Sequence, residues 1–216
     1  IKMCLSHAAP IGSDTGLGDI KEMAKAGPDP TGHKGTRTER SILEGYVAHV
    51  HSFVDIDSLK ALKVVADTAN GMGGLVVPAV FDGLPFTLDH MFPELDGTFP
   101  NHPADPIQPE NQRDLMARVL ETGADIGLAF DGDADRVFFV DETARPISGS
   151  LATAMVARSI LEREPGATVL HNLICSKTVA EVIAEGGGTA IRTKVGHSFI
   201  KDVMAETGAA FGGEHS

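Results

Sequence analysis

The amino-acid sequence predicts an α/β protein built of consecutive α/β/α layers. Apolar, β-prone segments alternate with segments of helical spacing from residue 62 to residue 140, and the alternation resumes after residue 146. In both stretches, polar motifs follow directly on predicted strands, at the sheet edge where α/β proteins usually bind ligands. The sequence therefore predicts two successive α/β units, each with a functional edge.

The individual elements follow from apolar spacing and from the turn residues between them. Residues 27–38 are rich in Gly, Pro and charge, and they are predicted to connect two helices. In the second of these helices, apolar residues including Ile42, Tyr46 and Val50 recur on one stripe, which predicts a core-facing side. The predicted helices are 17–26, 39–54, 75–81, 111–122, 150–162, 178–185 and 196–206, and the predicted strands are 62–66, 86–91, 124–130, 137–140, 168–173, 190–192 and 209–211.

Composition excludes several classes of protein. The 216 residues are 42% hydrophobic and carry a net charge of −12, which argues against a general nucleic-acid or anionic-membrane surface. Cys4 and Cys175 match no metal or redox spacing, so a reduced, cytoplasmic protein with free thiols is expected. No apolar run is long enough to span a membrane, and nothing in the sequence indicates the oligomeric state.

The most informative segment places Asp131, Asp133 and Asp135 at alternate positions between two predicted strands. Two carboxylates about 4 Å apart repel by roughly 4 kcal/mol at an effective dielectric near 20, so the cluster predicts a hard divalent metal with oxygen ligands. A straight strand would spread the three over roughly 13 Å, so convergence requires a curled loop, which Gly132 permits. Arg136 cannot ligate a cation but is suited to gripping a phosphate oxygen.

Three other interpretations of this segment remain open. An EF-hand loop would use the same aspartates with Glu142 at its twelfth position, but Arg136 stands where that loop needs Gly. A haloacid-dehalogenase-type phosphatase would use Asp131 as its nucleophile, although Asp135 stands where that family has Thr or Val. The third interpretation is a solvated acidic turn.

Two further features carry weaker signals. The Gly-rich turn at residues 67–74 lies between a strand and a helix, and it predicts either tight packing or phosphate contact. Its spacing fits neither the dinucleotide fingerprint nor a P-loop. His102 lies in a Pro-rich loop and is expected to be structural or exposed rather than a ligand.

Taken in order, the motifs resemble the α-D-phosphohexomutase family, in particular its phosphomannomutase/phosphoglucomutase members. The resemblance extends over nearly the whole chain. The segments that carry it are Ile1-Lys2, 69–74, 99–102, 131–136, 195–201 and 213–216.

The resemblance implies a fold of four α/β domains around a cleft, in which hexose 1-phosphates and 6-phosphates of mannose or glucose are interconverted. It also implies an active-site phosphoserine, a hexose 1,6-bisphosphate intermediate and Mg²⁺ held by Asp131, Asp133 and Asp135. The remaining residues implied by resemblance are Lys2, Arg136 and His197 in catalysis, and Glu214, Ser216 and Lys201 in substrate binding.

On the same basis, residues 1–43 correspond to the tail of a first domain plus a linker, 44–145 to a second domain and 146–216 to a truncated third. The phosphoserine loop is expected upstream of Ile1 and a fourth domain after Ser216, so the chain alone is expected to show no mutase turnover. Some members have a Lys where this sequence has Ile174, with Lys177 nearby. A metal or sugar-phosphate binding module without catalysis, and the phosphatase above, remain as alternatives.

Overall fold

The computed structural model describes residues 3–6, 11–12, 15–27, 32 and 35–215. Within them, two separate β-sheets each pack against helices, which confirms the predicted α/β class. The helices are α1 (Leu17–Ala26), α2 (Leu43–His51), α3 (Gly73–Phe81), α4 (Arg113–Thr122), α5 (Gly149–Arg163), α6 (Lys177–Glu185) and α7 (His197–Thr207). The strands are β1 (Leu62–Asp67), β2 (Phe86–Met91), β3 (Ile126–Phe130), β4 (Val137–Asp141), β5 (Pro146–Ile147), β6 (Thr168–Asn172), β7 (Thr189–Thr193) and β8 (Phe211–Gly213).

The first sheet has the strand order β2-β1-β3-β4-β5. β1 pairs in parallel with β2 and β3, whereas β4 runs antiparallel to both β3 and β5. Its core forms where Leu115 and Val119 of α4 pack against Val65 and Val140 of the sheet. Because β1 and β3 are parallel, the residues that follow Asp67 and Phe130 emerge at the same edge of the sheet.

The second sheet has the order β7-β6-β8, and its strands are all parallel. Successive residues of a strand face opposite sides, so Val169 packs with α5 and α6 while Leu170 packs with Ile200 of α7. Helices therefore cover both faces. The ends of β6 and β8, Asn172 and Gly213, lie at one edge.

Several element predictions need correction. The helix predicted at 39–54 is shorter, Leu43–His51, and Ile42 and Tyr46 of its apolar stripe are exposed. Among the described residues this helix packs chiefly on α3, so only part of the stripe is covered. The strand predicted at 209–211 is Phe211–Gly213, because Gly208 ends α7 in a left-handed conformation and the chain needs two more residues to rejoin the sheet. No described helix has the length and apolarity needed to cross a bilayer.

Candidate functional site

The acidic loop, residues 131–136, joins β3 to β4 and is shaped by its first residue. Asp131 is 2% exposed, and its Oδ1 accepts hydrogen bonds from the backbone N–H groups of Asp135 and Arg136, both at 3.1 Å. Its Oδ2 accepts one from Arg136 Nε at 2.8 Å. Ala134 adopts a left-handed backbone conformation with φ 58°, so the loop curls as the sequence requires for convergence.

The curled loop brings the three carboxylates together. One oxygen each from Asp131, Asp133 and Asp135 lies within 4.8 Å of the others. An oxygen-only donor set of carboxylates is the chemistry that Mg²⁺ and Ca²⁺ prefer. The EF-hand interpretation is wrong, because strands flank the loop and Glu142 lies beyond the far end of β4.

The Gly-rich turn, residues 67–74, packs directly against the acidic loop. Met72 N donates to Gly132 O at 3.0 Å, and a Cβ on Gly71 would lie 2.7 Å from the same oxygen. Only glycine therefore allows the two loops to approach this closely. Ala69 and Asn70 both adopt a left-handed backbone conformation, with φ angles of 46° and 60°. These contacts favour the packing interpretation of the turn over the phosphate-binding one.

A buried ion pair holds the neighbouring Pro-rich loop to the end of β1. His102 Nε2 lies 3.0 Å from Oδ2 of Asp67, which is almost fully buried, and His102 Nδ1 lies 3.0 Å from Pro103 O. With an oxygen facing each ring nitrogen, the imidazolium form is favoured. The hydrogen bond to Asp67 is the main cause that raises the pKa of His102 above its ordinary value. The expectation that His102 is structural agrees with this geometry.

The second sheet contributes Glu214, which directly follows β8. Its Oε1 accepts hydrogen bonds from Gly196 N at 2.8 Å and from Asn172 Nδ2 at 3.2 Å. Its backbone oxygen lies 3.3 Å from Thr153 Oγ1 of α5, which donates to it. The carboxylate is thus fixed at the N-terminal end of α7, where the helix dipole favours a negative charge.

The two sheets meet at a cleft of about 460 Å³ that joins these groups. Its lining comprises Asp131, Asp133, Asp135, Arg136, Val195, Gly196, His197 and Glu214. The structure therefore brings six of the sequence-predicted site residues together. Lys201 is an exposed residue one turn along α7 and does not line this cleft. Lys2 and Ser216 lie outside the described residues.

Sequence reasoning missed the side chains that hold the site in place. Asn172 and Thr153 are buried partners of Glu214, and Asp67 anchors the Pro-rich loop through His102. The sequence does mark Asn172 and Asp67, since each is a polar residue at the very end of an apolar strand. Asp131 has a similar position, directly after such a strand. Thr153 lies inside a helical segment and carries no comparable mark.

Two domain models of one protein family match most of the chain. Residues 44–145 match the family model described as phosphoglucomutase/phosphomannomutase, alpha/beta/alpha domain II, and residues 148–216 match domain III of the same family. The two matches follow one another in the order that this family has along its chain.

Curated proteins and a solved structure agree with those matches. The chain is 39% identical over 220 residues to "Phosphohexose mutases" of Xanthomonas campestris pv. campestris and 35% identical over 224 residues to "Phosphomannomutase" of Escherichia coli K12. Each match covers the whole chain but only 48% and 49% of those proteins, so the chain spans about half their length. A crystal structure of a phosphoglucomutase/phosphomannomutase family protein from Burkholderia thailandensis superposes with a TM-score of 0.87 at 33% identity, over 96% of this chain and 44% of that one. The chain belongs to the phosphoglucomutase/phosphomannomutase family.

Proposed function

We propose that this chain carries the metal site and the sugar-recognition loop of a phosphohexomutase. The proposed reaction interconverts the 1-phosphates and 6-phosphates of mannose, glucose or both, through an active-site phosphoserine and a hexose 1,6-bisphosphate. The observation that supports it most is the single cleft in which the acidic loop, His197 and Glu214 meet. A metal-binding loop and a hydroxyl-binding carboxylate on facing walls suit a ligand that is both phosphorylated and hydroxylated.

The metal would be Mg²⁺ held by Asp131, Asp133 and Asp135, whose oxygens are close enough together to share one hard cation. When bound, the ion supplies positive charge that neutralises phosphate oxygens during phosphoryl transfer.

Arg136 is proposed to bind a phosphate oxygen in the same cleft. Its Nε is held by Asp131 Oδ2 at 2.8 Å, while its side chain remains 47% exposed. The buried carboxylate therefore fixes the position of a guanidinium that is still accessible to ligand. A planar guanidinium binds phosphate through paired hydrogen bonds, and an anchored one loses less conformational freedom on binding.

The second wall is proposed to bind the sugar. The Glu214 carboxylate can accept hydrogen bonds from sugar hydroxyls, and His197, exposed at the start of α7, can donate to a phosphate or hydroxyl oxygen. Lys2 and Ser216 are proposed from the resemblance alone. Lys201 is the least supported member of the set, since it lies away from the cleft lining.

Calorimetric titration with Mg²⁺ tests the metal site. The unaltered chain is expected to bind Mg²⁺, and Asp133→Ala is expected to remove the binding heat. Asp141→Ala is the matched control, because Asp141 shapes a similar hairpin loop that lacks the two extra aspartates. Binding of Mg²⁺ by Asp133→Ala with unchanged affinity would refute the assignment.

The sugar-phosphate site is tested by binding of mannose 1-phosphate and glucose 1-phosphate in the presence of Mg²⁺. Glu214→Gln and Arg136→Gln are each expected to weaken binding about tenfold or more, the loss that follows from removing a hydrogen bond that involves a charged group. Lys177→Gln is the control, since Lys177 is exposed, pairs with Glu181 one turn further along α6 and does not line the cleft. Equal affinity in all three variants would contradict the proposed site.

The geometry gives less support to a phosphatase that uses Asp131 as its nucleophile. Both carboxylate oxygens already accept hydrogen bonds from the loop, and the side chain is almost fully buried. Incubation with phosphorylated substrate followed by acid quench should therefore trap no aspartyl-phosphate. An acid-stable adduct that disappears in Asp131→Asn would favour the phosphatase instead.

A further inference from the structure

Asn172 is a fully buried polar residue at the end of β6, beside the cleft. A primary amide is costly to bury unless its donors and acceptor find partners. Its Nδ2 donates to Glu214 Oε1 at 3.2 Å, and its Oδ1 accepts from Cys175 Sγ at 3.2 Å. Both ends of the amide are therefore committed to particular neighbours.

The thiol of Cys175 and the carboxylate of Glu214 together determine which way this amide faces. A rotation of the amide by 180° would place Oδ1 against Glu214 Oε1, two acceptors facing each other, and would leave the thiol opposite an NH₂ group. Burial raises the pKa of the Cys175 thiol, so the thiol stays protonated and remains a donor at neutral pH. The order of donation is consequently Cys175 to Asn172 to Glu214.

This chain of hydrogen bonds also fixes the Glu214 carboxylate. Both hydrogen bonds that the described residues give to the carboxylate, from Asn172 and from Gly196 N, go to Oε1. Two donors on one oxygen define the plane and rotation of the group. The other oxygen, Oε2, is then the one in a constant position for a ligand in the cleft.

We propose that Asn172 is a positioning residue for sugar recognition, which orients the Glu214 carboxylate so that Oε2 accepts a hydrogen bond from one ring hydroxyl of the hexose phosphate. The inference rests on the proposed function, because it needs Glu214 to bind sugar. It adds that selectivity for that hydroxyl depends on Asn172, which does not touch the sugar, and on the Cys175 thiol, which helps to orient the Asn172 amide.

The test compares binding of mannose 1-phosphate with binding of its monodeoxy analogues, each lacking one ring hydroxyl. In the unaltered protein one analogue is expected to bind at least tenfold more weakly, and Glu214→Gln identifies it by removing that difference. Asn172→Leu, close in volume but unable to donate, is expected to bind mannose 1-phosphate about tenfold more weakly and that analogue with unchanged affinity. Mg²⁺ affinity should stay constant, because the acidic loop belongs to the other sheet.

A second pair of variants keeps the test valid if Asn172→Leu fails to fold. Cys175→Ala removes the donor that orients the amide and is expected to reduce discrimination between the two ligands. Cys175→Ser keeps a donor and is expected to restore it. Full discrimination in folded Asn172→Leu, or in Cys175→Ala, overturns the inference alone. Failure of the unaltered protein to bind mannose 1-phosphate overturns the proposed function and the inference together.

Discussion

Two hairpin loops at opposite ends of β4 share one scheme of hydrogen bonds. In the acidic loop, Asp131 accepts from backbone N–H groups through Oδ1 and from Arg136 Nε through Oδ2. In the loop at 141–145, Asp141 accepts from the N–H groups of Thr143 and Arg145 through Oδ1 and from Arg145 Nε through Oδ2. Both loops also contain an alanine with positive φ, 58° at Ala134 and 60° at Ala144.

The difference between the loops shows which features are specific to the candidate metal site. An aspartate that caps its own hairpin and pairs with the arginine after it is a way of shaping a loop, and it occurs here twice. Only the acidic loop adds two carboxylates between the aspartate and the arginine, and only its aspartate is almost fully buried, with 3% of its side chain exposed against 19% for Asp141. The acidic loop also packs on Gly71, at the edge that faces the cleft.

The largest effect is expected from overpacking the contact between Gly71 and the acidic loop. In Gly71→Ala the new methyl group would lie 2.7 Å from Gly132 O, so one of the two loops must move. We expect the free energy of unfolding to fall by about 2–3 kcal/mol, as in other overpacked sites, and Mg²⁺ affinity to fall with it. Urea denaturation and calorimetry measure the two effects.

Gly97→Ala is the matched control for this variant. A Cβ on Gly97 would meet no atom within 4 Å, so its stability should stay within about 0.5 kcal/mol of the unaltered chain. A Gly71→Ala variant as stable as Gly97→Ala would show that the acidic loop does not depend on the turn beneath it.

The contrast between the two loops also shows what the sequence can reveal. The curled acidic loop was predictable from Asp131, Asp133 and Asp135, because a shared cation site would require the three carboxylates to converge and a straight strand would hold them apart. The contacts that Asn172 and Thr153 make with Glu214 were not predictable, although Asn172 is marked as a polar residue at a strand end, since the two lie 42 and 61 residues away from Glu214 in sequence. Long-range hydrogen bonds between single side chains leave no periodic pattern.

The exposed apolar residues in and just before α2 have a related explanation. A stripe of apolar side chains shows that one side of a helix can be buried, but it does not say how much of that side a neighbour covers. Ile42 is 74% exposed and Tyr46 44% exposed, although both belong to the stripe. The strand and helix alternation that predicted the fold class is more robust, because it depends on many residues at once.

A smaller, pH-dependent effect is expected from the pair of His102 and Asp67, which holds the Pro-rich loop to the end of β1. The folded-state pKa of His102 is raised, chiefly by its hydrogen bond to Asp67. A raised pKa means that the pair stabilises the fold fully below about pH 6.5, the unfolded value, and that this contribution is lost as pH rises through the folded pKa. The contribution of the pair to the free energy of unfolding should therefore decrease as pH rises from about 6.5 through the folded-state pKa of His102.

His102→Gln provides the comparison curve for this prediction. His90 acts in the opposite direction, since burial lowers its pKa and so disfavours folding in acid. Because His90 is present in both the unaltered chain and His102→Gln, its contribution cancels when the two unfolding free energies are subtracted. The difference in unfolding free energy should be largest at about pH 6 and shrink as pH rises. A difference that is independent of pH would contradict an ion pair between His102 and Asp67.

In the counterpart loop, residues 141–145, the corresponding effect lies in acid. The N–H of Arg145 is the main cause that lowers the pKa of Asp141 to about 2, with Thr143 and the Arg145 guanidinium adding to it. A lowered carboxyl pKa gives stability that is present above about pH 4 and is lost as pH falls toward 2. NMR titration of the Asp141 carboxyl carbon measures the pKa directly, and a midpoint near 4 would contradict the hydrogen-bond scheme that the two loops share.

The smallest effect compares the two left-handed alanines, whose substitution by glycine should change stability by different amounts. Glycine relieves a left-handed strain of about 1–2 kcal/mol and costs about 0.4–1 kcal/mol through the more flexible unfolded chain, so Ala134→Gly should stabilise the protein by about 0.8 kcal/mol. Ala144 is 7% exposed and belongs to the core cluster with Val140, so its methyl group contributes about 0.8 kcal/mol of burial that glycine would lose. Ala144→Gly should therefore leave the stability of the protein nearly unchanged. Because the φ angles of the two residues agree within 2°, strain alone predicts equal changes; equal changes measured by denaturation would mean that burial does not distinguish the loops.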